Sequence, residues 1–350
     1  MIAPVALLSL ATASPPHDLD QDEALRLARI LLGARYPNFE RMAPVFRNSG
    51  IRARQLVQPA EWYTVPHDWP QRSEAYVAGA LDLFITAASR ALDEAGLKGA
   101  DVDIIVTVSS TGIATPSLEA RAMGVLGFRS DAVRVPVFGL GCAGGVGALA
   151  LASRLAAASP GAVVLFVTVE ACSLAFRMDG VGKADIVAAA LFGDGAAAGV
   201  VRSGERGIAQ IAGAGEHTWP DTLDIMGWRV DATGLGVIFD RAIPPFARDH
   251  LRAAVDAMLG RQKLAVGDVD RFICHPGGTK VVEALEHALD LGQGALDHER
   301  EVLADHGNMS APTVLFVLDR VRRAGLPATS VLSALGPGFT ASTVTLKKAA

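Results

Sequence analysis

Aromatic residues are scarce in this 350-residue chain, 6% of the total, and cysteine occurs three times. Cys142, Cys172 and Cys274 lie far apart and form no CxxC pair, which excludes a disulfide framework and makes a reducing cytoplasm the simplest home. Basic charge is not in excess. The formal net charge is −5, so no field exists to hold a nucleic-acid backbone, and nucleic acid is excluded as a partner. The eight histidines supply no HExxH and no His/Cys pairing at metal spacing, so no metal site is expected. No stretch reaches the ~20 uninterrupted apolar residues that a membrane span requires. The apolar N-terminus, Ala3 to Ala13, ends in Ala11-Thr12-Ala13 like a signal-peptide cleavage site, yet no Lys or Arg precedes it. Without that basic region it reads as a first core strand, followed by Pro15-Pro16 and an acidic, helix-like stretch (Asp18, Asp20, Asp22, Glu23).

What is present is apolar periodicity: 50% of the residues are hydrophobic, enough for one large or two medium cores. The spacing predicts helices from Ser73 to Ala95, with Ser73 as N-cap, and from Val146 to Ala158. It predicts strands from Asp103 to Val108, Ala132 to Phe138, Ala162 to Val169 and Ala196 to Val201. Near-continuous apolar strands alternating with helices indicate α/β layers whose sheets are covered on both faces.

The second half repeats the first. Ala100-Asp101-Val102-Asp103 enters the apolar run Ile104 to Val108, as Gly267-Asp268-Val269-Asp270 enters Phe272 to Cys274. The turn Gly139-Leu140-Gly141-Cys142-Ala143-Gly144 corresponds to Asp305-His306-Gly307-Asn308-Met309-Ser310, and the closing turn Gly193-Asp194-Gly195 to Gly336-Pro337-Gly338. A duplication of about 150 to 170 residues is far longer than a solenoid repeat. It divides the chain into an N-terminal half, 1–205, and a C-terminal half, 206–350, with the seam near Ser203 to Gly207 and a shared site at the interface.

Cys142 lies between a strand and an Ala/Leu-rich helix. Backbone N–H groups and the dipole at such a helix start favour a thiolate, and the flanking glycines admit a substrate. The same surroundings also suit a small packing cysteine. His275, in Cys274-His275-Pro276-Gly277-Gly278 at a strand end, is placed to hold Cys142 as a thiolate–imidazolium pair. At its reference pKa of about 8.5 a thiol alone is only a few percent ionised at neutral pH. A strand-end histidine is equally a structural residue. Asn308 occupies the repeat position of Cys142, and its amide is either an oxyanion donor or a plain helix N-cap. Packing about a pseudo-twofold axis would bring Cys142 and Asn308 face to face, with His275 beside them.

These segments, together with Leu191-Phe192-Gly193-Asp194-Gly195-Ala196 and Gly336-Pro337-Gly338, resemble in order the motifs of type III polyketide synthases, the chalcone synthase family. The resemblance runs from Ala11 to Leu346. It implies a thiolase-like αβαβα fold, a homodimer, and a Cys-His-Asn site that needs no metal or organic cofactor. It further implies that Cys142 takes a starter group from acyl-CoA and that His275 and Asn308 bind the thioester carbonyl of malonyl-CoA as CO₂ leaves. The enolate then attacks the acyl-cysteine, and repetition and ring closure follow.

By the same resemblance Phe192 stands at the gate between the CoA tunnel and the condensation cavity, and Val237 replaces a second gate aromatic, which implies a wider gate. Ser110, Thr115, Cys172, Ala175 and Ser310, all small, fall at cavity-lining positions. Gly336, Pro337 and Gly338 are expected among the substrate-binding residues, near a cyclisation floor where Ala334 replaces a glycine common in the family. Small lining residues leave volume, so the expected starter is a long fatty acyl group, closed to an alkylpyrone or alkylresorcinol. Arg41, Arg47, Arg52 and Arg54 form a basic stretch near the family's CoA phosphate site, although a solvated helix face accounts for the same run. Cys172 and Cys274 read as buried residues rather than second nucleophiles. Two other readings stand beside this one: a ketoacyl-ACP synthase III-like enzyme of the same fold, and a non-catalytic acyl- or CoA-binding subunit. A biosynthetic thiolase would need a second catalytic cysteine late in the chain, and none follows Cys274.

Overall fold

The computed structural model describes residues 4–176 and 182–349. Strands of the first half are β1 (Val5–Ala13), β2 (His17–Asp20), β3 (Ala53–Leu56), β4 (Ile104–Val108), β5 (Val133–Val137), β6 (Val164–Ala171) and β7 (Asp194–Ser203). The second half carries β8 (Ala209–Thr218), β9 (Met226–Asp231), β10 (Gly234–Phe239), β11 (Arg271–Cys274), β12 (Thr329–Gly336) and β13 (Thr340–Lys348). Helices α1 (Gln21–Leu32), α2 (Phe39–Met42), α3 (Pro44–Asn48), α4 (Trp69–Ala95), α5 (Leu118–Leu126), α6 (Gly144–Ala158) and α7 (Lys183–Leu191) belong to the first half. Helices α8 (Ile243–Gly260), α9 (Thr279–Ala288), α10 (Asp297–His306) and α11 (Thr313–Gly325) belong to the second.

Nine strands form one sheet in the order β11-β12-β13-β8-β1-β7-β6-β4-β5. β4 and β6 run parallel, β6 and β7 antiparallel, and β7 and β1 antiparallel. β11 with β12, β12 with β13, and β13 with β8 repeat those three senses. The repeat in the sequence is therefore a repeat of topology. β1 also pairs with β8, so the two half-sheets are joined rather than closed separately.

Every residue of β4 and β6 is buried, so both faces of these strands need an apolar layer. Ile104, Val106, Val108, Val164 and Phe166 face Val146 and Leu149 of α6 and Val314 and Leu318 of α11, which also meet Leu332 and Val344 of the other half. Ile105, Leu165 and Val167 face Ala80, Phe84 and Ala87 of α4. In the second half Phe272, Val331 and Ala341 pack on Leu251, Val255, Val282 and Leu285 of α8 and α9. This is the expected αβαβα stack, with α6 and α11 in its middle layer. α4 and the segment Gly141–Ala158 are long and apolar enough to cross a membrane. In the fold that apolar surface is spent on the core.

Two local expectations change. α4 begins at Trp69 rather than at Ser73. Asp68 accepts from the Gln71 N–H at 2.9 Å while Gln71 Oε1 accepts from the Asp68 N–H at 3.0 Å, and Pro70 fits a first turn that needs no donor. The acidic stretch after Pro16 splits: Asp18 lies in β2, paired with β3, and Asp20 caps α1 by accepting from the Glu23 N–H at 2.7 Å.

Candidate active site

The starts of α6 and α11 meet at the centre of the molecule. A Cβ on Gly145 would lie 2.2 Å from the Ala311 carbonyl oxygen, so a side chain there would drive the two segments apart. Just upstream, Cys142 occupies a short turn, Gly141–Ala143, entered by Gly141 at φ +50°. Ser110 Oγ pins this turn by accepting from the Gly139 and Gly141 N–H groups, each at 3.1 Å. Behind Ser110 lies buried Glu170, which accepts from the Ser110 N–H at 2.9 Å and from Thr111 Oγ1 at 2.7 Å. Burial raises its pKa to about 7. Burial also pushes the Cys142 thiol up to about 11, opposed by hydrogen bonds from Ser310 and Asn308 and reinforced by the nearby Glu170 charge.

His275 closes β11. Its N–H donates to the Ser333 carbonyl at 2.8 Å, and the chain turns at once, the Gly277 N–H donating to the His275 carbonyl at 3.1 Å. The ring is buried, and neither Nδ1 nor Nε2 has a hydrogen-bond partner among the described residues. Burial lowers its pKa to about 4. Burial thus works against both charges of the expected thiolate–imidazolium pair.

Asn308 is held on all sides. Its N–H donates to the Leu191 carbonyl at 2.8 Å and its carbonyl accepts from the Gly193 N–H at 3.1 Å, a parallel bridge that fixes it beside Phe192. Its Oδ1 accepts from the Ser310 N–H at 2.8 Å, and its Nδ2 donates to the Gly277 carbonyl at 3.2 Å. The N-cap reading fails, because Oδ1 is taken by Ser310 and α11 begins only at Thr313. Cys142, His275 and Asn308 line one cavity, with Phe239, Ser333 and Ala334 among the other residues of its wall.

A second cavity adjoins Cys142. Cys172, Phe192, Val237, Ser310 and Pro337 line it as expected, and so do Trp228 and Phe239, which sequence reasoning missed. Val237 sits opposite Trp228 in the β9–β10 ladder. The Trp228 ring stands edge-on to Phe192 at 6.4 Å, and Phe239 does so at 6.5 Å. The gate expected to be wide at Val237 is therefore walled by aromatic rings from the same hairpin.

Other lining assignments are corrected. Thr115 is exposed and lies outside the cavity of its own chain. Ala175 faces a separate pocket with Tyr76 and Leu235. Ser110 holds the Cys142 turn instead of presenting its hydroxyl to substrate. Gly336 acts by close approach, since a Cβ there would lie 2.8 Å from the Ala143 nitrogen, and Gly338 follows Pro337 at φ +105°.

The arginines divide. Arg54 is buried and donates to the carbonyls of Ala189 (2.8 Å), Phe192 (3.0 Å) and Ala190 (3.1 Å), and to Gln21 Oε1. It satisfies the end of α7 and positions Phe192, so its expected role at CoA phosphates is withdrawn. Arg52 is ion-paired with Glu301 at 2.9 Å and Asp305 at 2.6 Å. Arg41 and Arg47 are exposed on α2 and α3. Asp194, also missed, accepts from the Val57 N–H at 2.8 Å and the Ser173 N–H at 2.7 Å, and burial raises it to about 6. Glu170 and Asp194 were detectable as lone acids, one ending the apolar strand Val164–Ala171 and the other inside a glycine turn. Trp228 offered no such signal, because its facing depends on hairpin register.

Residues 64–205 match the family model for the N-terminal domain of chalcone and stilbene synthases, and residues 210–350 match that for the C-terminal domain. A 1,3,6,8-tetrahydroxynaphthalene synthase from Streptomyces peucetius subsp. caesius is 39% identical over 350 residues, covering 98% of this chain and 93% of the relative. The crystal structure of the 1,3,6,8-tetrahydroxynaphthalene synthase of Streptomyces coelicolor A3(2), a bacterial type III polyketide synthase, gives a TM-score of 0.93 at 31% identity over 98% of this chain and 99% of that one. CsyB complexed with CoA-SH gives a TM-score of 0.91 at 25% identity over 98% of this chain and 100% of that one. The chain belongs to the chalcone and stilbene synthase family, the type III polyketide synthases, which are acyltransferases that lengthen an acyl group by decarboxylative Claisen condensation.

Proposed function

We propose that Cys142 carries a starter group taken from acyl-CoA and that His275 and Asn308 hold the thioester carbonyl of malonyl-CoA as it loses CO₂. One observation carries this reading: the Cys142 thiol, the His275 ring with both nitrogens unclaimed by described residues, and the Asn308 amide converge on a single buried cavity. In loading, the Sγ proton passes to His275 as sulfur attacks the acyl thioester. The bond to the CoA sulfur breaks, and the departing thiolate takes that proton. The ring returns to the neutral form that burial favours, with one N–H to donate. In extension, the bond between the malonyl carboxylate and its neighbouring carbon breaks, CO₂ leaves, and the electron pair forms an enolate whose oxygen accepts from His275 and Asn308. The enolate carbon attacks the acyl carbonyl on Cys142, and Sγ leaves as thiolate. Donors aimed at such developing charge are worth about 3 kcal/mol each. These steps use no metal or organic cofactor.

In this reading the starter is a long-chain fatty acyl group and the product an alkylpyrone or alkylresorcinol. The short side chains Cys172 and Val237 beside Cys142 support it. Mass analysis of products from malonyl-CoA with hexanoyl-, dodecanoyl- and palmitoyl-CoA tests it, and alkyl-bearing products from the two longer starters are expected. Turnover of malonyl-CoA alone to a tail-less aromatic would instead favour a second reading, a compact ring product of the kind named for the tetrahydroxynaphthalene synthases. Trp228 packed against Phe192 is the observation on that side.

The protein acts as a homodimer in this reading. β5 is an edge strand, and Val133 (56%), Phe138 (56%) and Ile113 (55%) are more than half exposed on or beside it, an apolar face suited to a second copy. Phe138→Asp is expected to shift the sedimentation coefficient from dimer to monomer; a wild-type monomer would refute the assignment.

A further inference from the structure

β11, which ends one residue before His275, is the last strand of the nine-stranded sheet, so one of its edges has no neighbouring strand. In the first half the corresponding edge is covered: Val108, the counterpart of Cys274, pairs with Val137 of β5. Cys274 is buried, and a buried strand N–H left without an acceptor is costly. A carboxylate takes the place of the missing strand. Glu299, fully buried in the first turn of α10, accepts from the Cys274 N–H at 2.9 Å through Oε1. Its Oε2 accepts from Arg271 Nη2 at 2.5 Å, and Arg271 Nε has no partner among the described residues. The approach to α10 is itself anchored to α9, where Glu286 accepts from the Gly294 and Leu296 N–H groups, each at 3.1 Å, and pairs with Arg300 at 2.7 Å.

The consequence falls on the next residue. The His275 N–H donates to the Ser333 carbonyl of β12 at 2.8 Å, and one position earlier the Cys274 N–H is held at the open edge by Glu299. Two successive peptide groups are thus pinned from opposite sides. The His275 ring has no hydrogen-bond partner of its own among the described residues, so hydrogen bonding directs it only through the backbone that carries it.

We propose that Glu299 is a positioning residue for His275: by holding the Cys274 N–H at the open edge of β11, it fixes the backbone from which the imidazole reaches the cavity shared with Cys142 and Asn308. The proposal rests on the role given to His275 above and adds what sets its position. The acceptor carries the effect, not the charge. Oε1 serves Cys274 and Oε2 serves Arg271, so substitution can separate the two.

The test measures kcat and KM for malonyl-CoA decarboxylation, by release of labelled CO₂, in two double variants that differ only at the acceptor. Arg271→Met with Glu299→Leu removes both charges together, so no unpaired ion stays buried, and leaves the Cys274 N–H without an acceptor. Arg271→Met with Glu299→Gln gives it an amide oxygen instead. The Leu double variant is expected to lose about tenfold in kcat with KM within about twofold of wild type, the mark of a misplaced group that acts in the transition state rather than in binding. The Gln double variant should return kcat to within about twofold of wild type. Glu299→Asp, which keeps the charge and draws the acceptor back by one methylene, should also lower kcat, and it carries the test where the Leu double variant does not fold. Equal kcat in the two double variants, or wild-type kcat in Glu299→Asp, beside a large loss in His275→Ala, would show that Glu299 serves the fold alone and leave the role of His275 standing. Wild-type decarboxylation in His275→Ala would remove that role and the proposal with it.

Discussion

Ser109 and His275 stand at the same place in the two halves, one residue beyond β4 and β11, and they do opposite things. The registers agree: Val108 pairs with Thr168 in one half and Cys274 with Ser333 in the other. Ser109 is tied down, its Oγ 2.7 Å from the Tyr76 hydroxyl and donating to Glu170 at 3.3 Å. His275 has no such tie among the described residues. The same registers make Leu335 the counterpart of Glu170, so the half that holds Cys142 also holds a buried acid, and the half that holds His275 is apolar at that point. The duplicated topology sets where two helix starts converge. Departures from the duplication decide what chemistry sits there.

The largest effects should separate the halves cleanly. Cys142→Ala is expected to abolish condensation, a loss of roughly a thousandfold or more, while malonyl-CoA decarboxylation persists. His275→Ala and Asn308→Ala should each cost decarboxylation about a hundred- to a thousandfold. Release of labelled CO₂ from malonyl-CoA, measured beside product formation, reads both. Decarboxylation at wild-type rates in either second-half variant would overturn the division of labour.

Much of this was legible beforehand because the signals are local. Glycine turns on either side of Cys142 and after His275, and alternating apolar strands, announced the repeat and the three residues that meet at its centre. What was not legible depends on the fold bringing distant segments together. Arg54 reads as one of four clustered arginines, yet its guanidinium is enclosed by the end of α7, more than a hundred positions along the chain. Thr115 and Ala175 are small, but whether a small residue faces a cavity is decided by the loop that carries it. Trp228 walls the cavity where Val237 was expected to leave a wider gate, and only the β9–β10 register shows that the two are opposite one another.

The two buried groups also pull stability in opposite directions with pH. Burial lowers His275 to about 4, so its contribution is complete above the unfolded value of 6.5 and is lost as pH falls through 4. Burial raises Glu170 to about 7, so its contribution is complete below the unfolded value of 4.5 and is lost as pH rises through 7. Each limb is on the order of 3 kcal/mol. Urea midpoints from pH 4 to pH 8 should show His275→Asn flattening the acid limb and Glu170→Gln flattening the alkaline one. A variant that flattened the other's limb would show that the halves are not electrostatically separate.

The smallest effect concerns the helices that cover the half-sheets. α4 opens with the reciprocal Asp68–Gln71 box, whereas its counterpart α8, which follows Ala242, has no side-chain cap: the Ile243 N–H donates to the Asp240 carbonyl at 3.3 Å, and Pro244 and Pro245 have no N–H to cap. A lost cap of this kind costs about 1 kcal/mol. Asp68→Ala should therefore lower the urea midpoint measurably, while Ala242→Gly, which removes no capping oxygen, should change it by only a few tenths of a kcal/mol. The contrast matters because α4 supplies Tyr76, which braces Ser109 and through it the Glu170 cluster behind the Cys142 turn. If the box holds the start of α4, exchange of the Gln71 amide should quicken in Asp68→Ala, while exchange of the Phe246 amide in the first turn of α8 keeps its wild-type rate.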